Sequence, residues 1–201
     1  MGALAPTFCV LAVTGLLGAV AGATEARPRP LDEVALAAAQ KTSRFVGKIS
    51  QEIVALAAKW AAARGLPLDW VLATIWIESG GDPTKRGDTR RQSWGLMQIN
   101  TEAQAARLRA HGLKLTQLFD PDINIMIGTE IMREHFDKAQ RVLGHRKPPV
   151  PLGLIVRLAY VRPASTFTAL RRREDPRTSY NDAPLVAAKW SETLAQARAL
   201  V

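Results

Sequence analysis

Apolar side chains recur every three or four positions along most of this chain, the period of a helix with one buried face. Glycine and proline separate the periodic segments, as in Gly80-Gly81-Asp82-Pro83 after the second of them. The pattern predicts helices over residues 31–64, 69–78, 101–108, 123–143, 152–160 and 183–200. No segment combines the alternation of a strand with a hairpin turn, so we predict an all-α fold. The polar stretch 84–99 leaves room for a minor β-element.

Two aspartates stand where helix-capping residues are expected. Asp69 precedes the apolar run that ends at Glu78, and Asp120-Pro121 precedes the long segment that ends at Leu143. An aspartate at this position accepts hydrogen bonds from free backbone N–H groups of the first helical turn. We therefore predict that Asp69 and Asp120 each begin a helix.

The first residues have the composition of a targeting or anchoring segment. Residues 3–23 carry no charged side chain and end in Ala21-Gly22-Ala23, which resembles a secretory cleavage site. The run is also long enough to span a bilayer, and the arginines that follow it, Arg27 and Arg29, argue against a simple signal. We predict a signal peptide or N-terminal membrane anchor over 1–23, a linker and leading helix over 24–47, and one domain over 48–201 with a C-terminal helical extension. A phage virion component, which needs no export signal, and a buried hydrophobic helix are the alternatives.

Charge narrows the class of partner. The chain has 27 Lys and Arg against 18 Asp and Glu, a net charge of +9, which suits nucleic acid, an acidic membrane or a carboxylate-rich cell wall. No nucleic-acid-binding motif is present, so no nucleic-acid partner is predicted.

The single cysteine excludes an intrachain disulfide, and the three histidines lack metal-ligand spacing. We therefore predict no metal and no cofactor.

Glu78 is the candidate for acid–base chemistry. It ends the apolar run 70–77 and is followed by Ser79-Gly80-Gly81. A carboxylate in the last helical turn meets the negative end of the helix dipole, and apolar neighbours such as Ile75 and Trp76 exclude solvent. Both effects favour the protonated form that a general acid needs. A solvent-facing glutamate at a helix end is the plain alternative.

Three motifs then follow one another in register. They are Glu78-Ser79-Gly80, Gly95-Leu96-Met97-Gln98-Ile99, and Leu118-Phe119-Asp120-Pro121 with Asn124-Ile125 and Gly128. In this order and spacing, over roughly residues 48–165, the chain resembles the soluble lytic transglycosylase domain of the lysozyme superfamily. The resemblance implies a lysozyme-like helical fold and cleavage of peptidoglycan glycan strands.

The resemblance also implies roles for individual residues. Glu78 would protonate the glycosidic oxygen between N-acetylmuramic acid and N-acetylglucosamine, then act as base on the muramic 6-hydroxyl to leave a 1,6-anhydro end. The substrate-binding residues would be Ser93, Gly95, Leu96, Met97, Gln98 and Tyr160, with Ser93 bonded to Glu78 and the Met97 and Gln98 side chains touching sugar. Asp120 and Asn124 would position a helix. One position departs from the family, because Val161 stands where an asparagine is usual.

Two other functions stay open at this point. A hydrolysing lysozyme would use Asp82 or Asp88 to activate water. A structural component of a phage virion or secretion apparatus would retain the fold with weak activity, which the loss of the asparagine at Val161 favours. The expected location is the periplasm or cell envelope, or alternatively a phage virion. The expected partner is peptidoglycan. Membrane anchoring through residues 3–23 and membership of a larger envelope or virion assembly are further options.

Overall fold

The computed structural model describes residues 49–87 and 92–198, and the expectations for 1–48 lie outside the described residues. Seven α-helices, α1 to α7, cover Gln51–Arg64, Leu68–Ser79, Ala105–Ala110, Pro121–Leu143, Leu152–Val161, Pro163–Arg172 and Ala183–Arg198 within this part of the chain. Two 3₁₀ helices cover Leu115–Phe119 and Pro176–Thr178, and two short strands, β1 and β2, cover Ser93–Trp94 and Ile99–Asn100. The predicted all-α fold with a minor β-element is confirmed. None of the described helices combines the length and the apolar composition needed to cross a membrane.

The first two described helices are separated by a sharp turn. Ser50 begins α1 by accepting a hydrogen bond from the N–H of Ile53, and Gly65, at φ 59°, ends it in the left-handed conformation. Pro67, not Asp69, occupies the position before α2, so the prediction that Asp69 caps this helix is wrong. The Asp69 carboxylate instead accepts a hydrogen bond from Nε of Arg198 at 2.9 Å, which ties the start of α2 to the end of α7.

The longest helix, α4, forms the centre of the core. Asp120 caps it through the N–H groups of Asp122 and Ile123, and Pro121 stands at its first position, as predicted. One side of α4 packs against α1 and another against α5. The fully buried side chains of the core include Leu72, Ile75, Leu96, Met97, Ile99, Leu118, Ile125, Ile127, Met132, Ile155, Phe167 and Trp190.

The chain after α5 adds two helices, of which the second lines the site. The periodic pattern did not predict α6, which begins at Pro163 and buries Phe167 and Leu170 against α4 and α5. The last helix, α7, lies against α2 and α5 and buries Trp190. It was predicted as a C-terminal extension, and it packs directly on the helix that carries Glu78.

Strands β1 and β2 form a short antiparallel hairpin near the end of α2. Ser93 pairs with Asn100 and Trp94 with Ile99. The turn between them begins at Gly95, whose φ of +76° and surroundings both exclude a side chain. A Cβ there would lie 2.2 Å from the Asn124 amide nitrogen and from the Leu118 carbonyl oxygen. The glycine of this motif is therefore required by backbone geometry.

Candidate active site

A cleft of about 510 Å³ opens beside the end of α2. The hairpin forms one wall, and α5 and α7 form the other. Its described lining residues are Ile77, Glu78, Gly87, Ser93, Gln98, Asn100, Arg157, Tyr160, Val161, Leu185, Val186 and Lys189. Glu78 is the one acidic side chain among these described residues, so the acid–base chemistry that they can offer centres on it.

The end of α2 places Glu78 in its last turn. Gly80, at φ 68°, ends the helix and donates its N–H to the carbonyl of Trp76. Lys85 then returns over this end, and its Nζ lies 2.8 Å from the backbone carbonyl oxygen of Glu78. A cation at the carboxyl end of a helix offsets the negative pole of the helix dipole. Lys85 therefore stabilises the end of the helix that carries Glu78.

Arg157 is the direct partner of the Glu78 carboxylate. Its Nη1 lies 2.6 Å from Oε1 of Glu78, and the side chains are 4% and 20% exposed respectively. The guanidinium carbon also lies 5.9 Å from the ring centroid of Tyr160, one helical turn further along α5. A charge-assisted hydrogen bond of this length fixes the orientation of both side chains. The site therefore holds Glu78 in an ion pair with Arg157.

The hydroxyl of Tyr160 has a backbone partner. It donates to the carbonyl of Met97 at 2.9 Å and so ties α5 to the hairpin turn. Burial raises the pKa of Tyr160 and the nearby charge of Glu78 raises it further, whereas Arg157 opposes both. The phenol therefore stays neutral and acts as a hydrogen-bond donor.

The side chain of Asn124, on α4, fixes the conformation of the hairpin turn. Its amide nitrogen donates to the carbonyls of Trp94 and Leu118 at 2.9 and 2.7 Å, and its oxygen accepts from the N–H of Met97 at 2.8 Å. The side chain is fully buried, so each of these groups would otherwise lack a partner. Asn124 was expected to position a helix, and its described side-chain contacts instead hold the hairpin turn and the carbonyl of Leu118.

Contacts between the hairpin and the loop before it also hold the hairpin in place. The Gln98 amide nitrogen donates to the carbonyls of Lys85 and Gly95 at 3.1 and 2.9 Å. The guanidinium of Arg86 lies 4.6 Å from the ring centroid of Trp94, which itself stacks on Phe119 at 5.1 Å. These contacts fix the described part of the basic loop as a wall of the cleft.

Comparison with protein-family profiles matches residues 55–193 to the family described as "Transglycosylase SLT domain". The chain belongs to this SLT family. The match runs well beyond residue 165 and includes most of α7, so the helix predicted as an extension belongs to the matched domain. Comparison with curated proteins gives no match.

The SLT domain brings four of the seven predicted site residues to the cleft: Glu78, Ser93, Gln98 and Tyr160. The other three do not line it. Gly95 is enclosed by Asn124 and Leu118, Leu96 is fully buried, and the fully buried side chain of Met97 lies against Gly128. The interpretation that the Met97 side chain touches sugar is therefore wrong for this structure, because packing against α4 removes it from the cleft.

Other cleft residues of the SLT domain were missed. Arg157 is a lone charge within the apolar run 152–161, and a buried arginine generally needs a carboxylate partner, so the sequence did carry a signal for it. The cleft residues of α7, which are Leu185, Val186 and Lys189, carry no such signal. Leu185 is 73% exposed, which is unusual for a large apolar side chain but normal at the edge of a binding cleft.

The residues proposed for the hydrolysing alternative stand elsewhere. Asp82 is exposed and accepts hydrogen bonds from the hydroxyl and N–H of Thr84, which hold the pKa of Asp82 below its ordinary value. It is not among the described lining residues, and Asp88 lies outside the described residues.

Within the described ranges 49–87 and 92–198, no group of three or more His, Cys, Asp or Glu side chains is arranged to hold a metal ion.

Proposed function

We propose that this SLT domain is a lytic transglycosylase that cleaves the β-1,4 bond between N-acetylmuramic acid and N-acetylglucosamine in peptidoglycan. Family membership supports peptidoglycan as the substrate class. The observation that carries the reaction type is the position of Glu78, the one carboxylate among the described residues that line the cleft. Hydrolysis by inversion or retention commonly uses two carboxylates, whereas internal cyclisation needs one.

The proposed reaction moves one proton in each of two steps. Protonated Glu78 donates to the glycosidic oxygen as the bond from that oxygen to the anomeric carbon breaks. The resulting carboxylate accepts the proton of the muramic 6-hydroxyl, and the oxygen of that hydroxyl bonds to the anomeric carbon. Glu78 returns to its starting state, no water is consumed, and the products are a free 4-hydroxyl and a 1,6-anhydro end.

The decisive experiment is digestion of purified peptidoglycan, with the soluble products identified by mass. We expect fragments that are lighter by one water than the corresponding hydrolysis products. Glu78→Gln should lower their rate of release by about 10²–10⁴-fold, because the amide cannot transfer a proton. Glu102→Gln, an exposed substitution away from the cleft, is the matched control and should behave as wild type.

The two alternatives predict different products. A hydrolysing lysozyme would give reducing ends and would lose activity in Asp82→Asn or Asp88→Asn. A structural component with weak chemistry would bind peptidoglycan and release little of either product. Val161 favours this second alternative, because it lines the cleft where the family usually has an asparagine. For the proposed enzyme, the site of action is the cell envelope or a phage virion that meets the cell wall.

A further inference from the structure

The ion pair between Arg157 and Glu78 is isolated among the described residues. Arg157 follows Val156 and precedes Leu158 on α5, both fully buried. Its single described ion pair is with Glu78, and its Nε is buried without a hydrogen-bond partner. A buried guanidinium loses most of its hydration, and one partner compensates for only part of that loss. A well-packed apolar side chain at this position would not carry that cost, so a role in the site offers a reason for the arginine.

The contact distinguishes the two oxygens of the Glu78 carboxylate. Oε1 receives the guanidinium N–H at 2.6 Å, and this contact does not involve Oε2. The glutamate is 20% exposed, whereas Arg157 is 4% exposed. The guanidinium therefore approaches the carboxylate from the protein interior, and solvent reaches the carboxylate from the cleft.

We propose that Arg157 is a positioning residue that gives the two oxygens of the Glu78 carboxylate different roles. Oε1 stays bonded to Arg157, and Oε2 carries the proton to the glycosidic oxygen and accepts the proton of the 6-hydroxyl. This inference rests on the proposed function. A carboxyl group held at one oxygen loses its freedom to rotate, so the other oxygen meets the substrate in one geometry. The same contact stabilises the carboxylate that forms when the proton leaves.

Arg157 is one of several charged or titratable groups around Glu78. The other described ones are Tyr160 on α5, Lys85 on the loop after α2 and Lys189 on α7, with Tyr180 near Arg157. Removing Arg157 alone leaves the others in place.

The test compares variants of the full chain by their rates of anhydro-product release. Arg157→Gln should lower the maximal rate by about tenfold or more, since small misplacements of a reacting group are costly. Arg157→Lys keeps a cationic N–H donor at this position, so it should recover part of the rate.

A matched control separates the ion pair from general effects of charge. Arg162→Gln removes an exposed arginine at the end of the same helix, outside the lining of the cleft, and should leave the rate unchanged. Thermal melting checks that each variant is folded. If Arg157→Gln does not fold, Arg157→Met carries the same test without an added polar group, and Arg157→Lys must still show a higher rate than Arg157→Met.

The outcomes distinguish this inference from the proposed function. A wild-type rate in folded Arg157→Gln, or a lysine variant no better than the glutamine variant, would overturn the role of Arg157. If Glu78→Gln abolishes cleavage in the same assay, that failure concerns Arg157 alone. If Glu78→Gln retains wild-type cleavage, the proposed function itself fails.

Discussion

Asn124 should be the side chain on which the shape of the cleft wall depends most, and Asn124→Asp tests this with almost no change in volume. The substitution keeps the oxygen that accepts from the N–H of Met97 and removes the NH₂ group that donates to Trp94 and Leu118. An ionised aspartate would leave both carbonyls facing a buried negative charge. A protonated one could donate to a single carbonyl. In either state at least one buried carbonyl loses its partner.

The expected loss of stability follows from these contacts. One buried polar group without a partner costs about 1–3 kcal/mol, and a second cost arises from burying the charge or keeping the acid protonated. We expect the free energy of unfolding to fall by about 3 kcal/mol or more. For a domain of this size that corresponds to a drop of roughly 6–12 °C in Tm. Peptidoglycan cleavage should fall as well, because the hairpin carries Ser93 and Gln98.

The measurement is urea unfolding followed by circular dichroism, with the slope compared between variants. Asp122→Asn is the control, since it alters a partly exposed carboxylate on the same helix that pairs with Lys59 at 2.9 Å. The asparagine keeps an oxygen that can accept the hydrogen bond that Nε1 of Trp60 donates to this side chain. An exposed pair contributes about 0–1 kcal/mol, so this variant should stay close to wild type. If Asn124→Asp changes the free energy of unfolding by less than about 0.5 kcal/mol at an unchanged slope, the hydrogen bonds of Asn124 do not stabilise the fold. That result would refute the reasoning.

Two further predictions concern the core around α4. Burial lowers the pKa of His135 from 6.5 to about 4, so between these values the unfolded chain binds a proton that the folded chain does not. The free energy of unfolding should therefore decrease by about 3 kcal/mol from this group as pH falls from about 6.5 to 4. His135→Gln should lose this part of the pH dependence when both proteins are unfolded with urea at several pH values. Parallel pH profiles for the two proteins would contradict the prediction. A Cβ on Gly128 would lie 2.2 Å from the Met97 sulfur and 2.9 Å from its Cβ. Gly128→Ala should cost about 1–3 kcal/mol, partly restored by adding Met97→Ala, and a wild-type melting temperature would show that the core can relax.

The sequence predicted the parts of this molecule that depend on local rules. Helical periodicity predicted α4, α5 and α7, and the Asp120-Pro121 pair marked the start of α4. It failed at Asp69, because the chain turns at Pro67 and the aspartate pairs with Arg198, which is 129 residues away. Such a partner is set by tertiary packing and leaves no mark on local spacing.

In the candidate site, too, local sequence predicted some residues and tertiary packing determined the others. Glu78 was identified from its own segment and the motifs that follow it, yet its partner comes from α5, 79 residues later. Motif position also assigned the Met97 side chain to sugar, when its distance from Gly128 places it in the core. The spacing of a motif determines which residues reach the same loop. It does not determine which of them point inward.

The charges around Glu78 bear on how this cleft would hold its proposed substrate. Arg157 contacts the Glu78 carboxylate, Lys85 contacts the backbone carbonyl of Glu78, and Lys189 lines the cleft from α7. One described carboxylate and three cations make this region net positive, which attracts an anionic polymer. Peptidoglycan carries carboxylates on its peptide stems. Stem carboxylates that bind near Lys85 or Lys189 would hold the glycan strand beside Glu78, so the same positive charge would bring the substrate to the proposed acid.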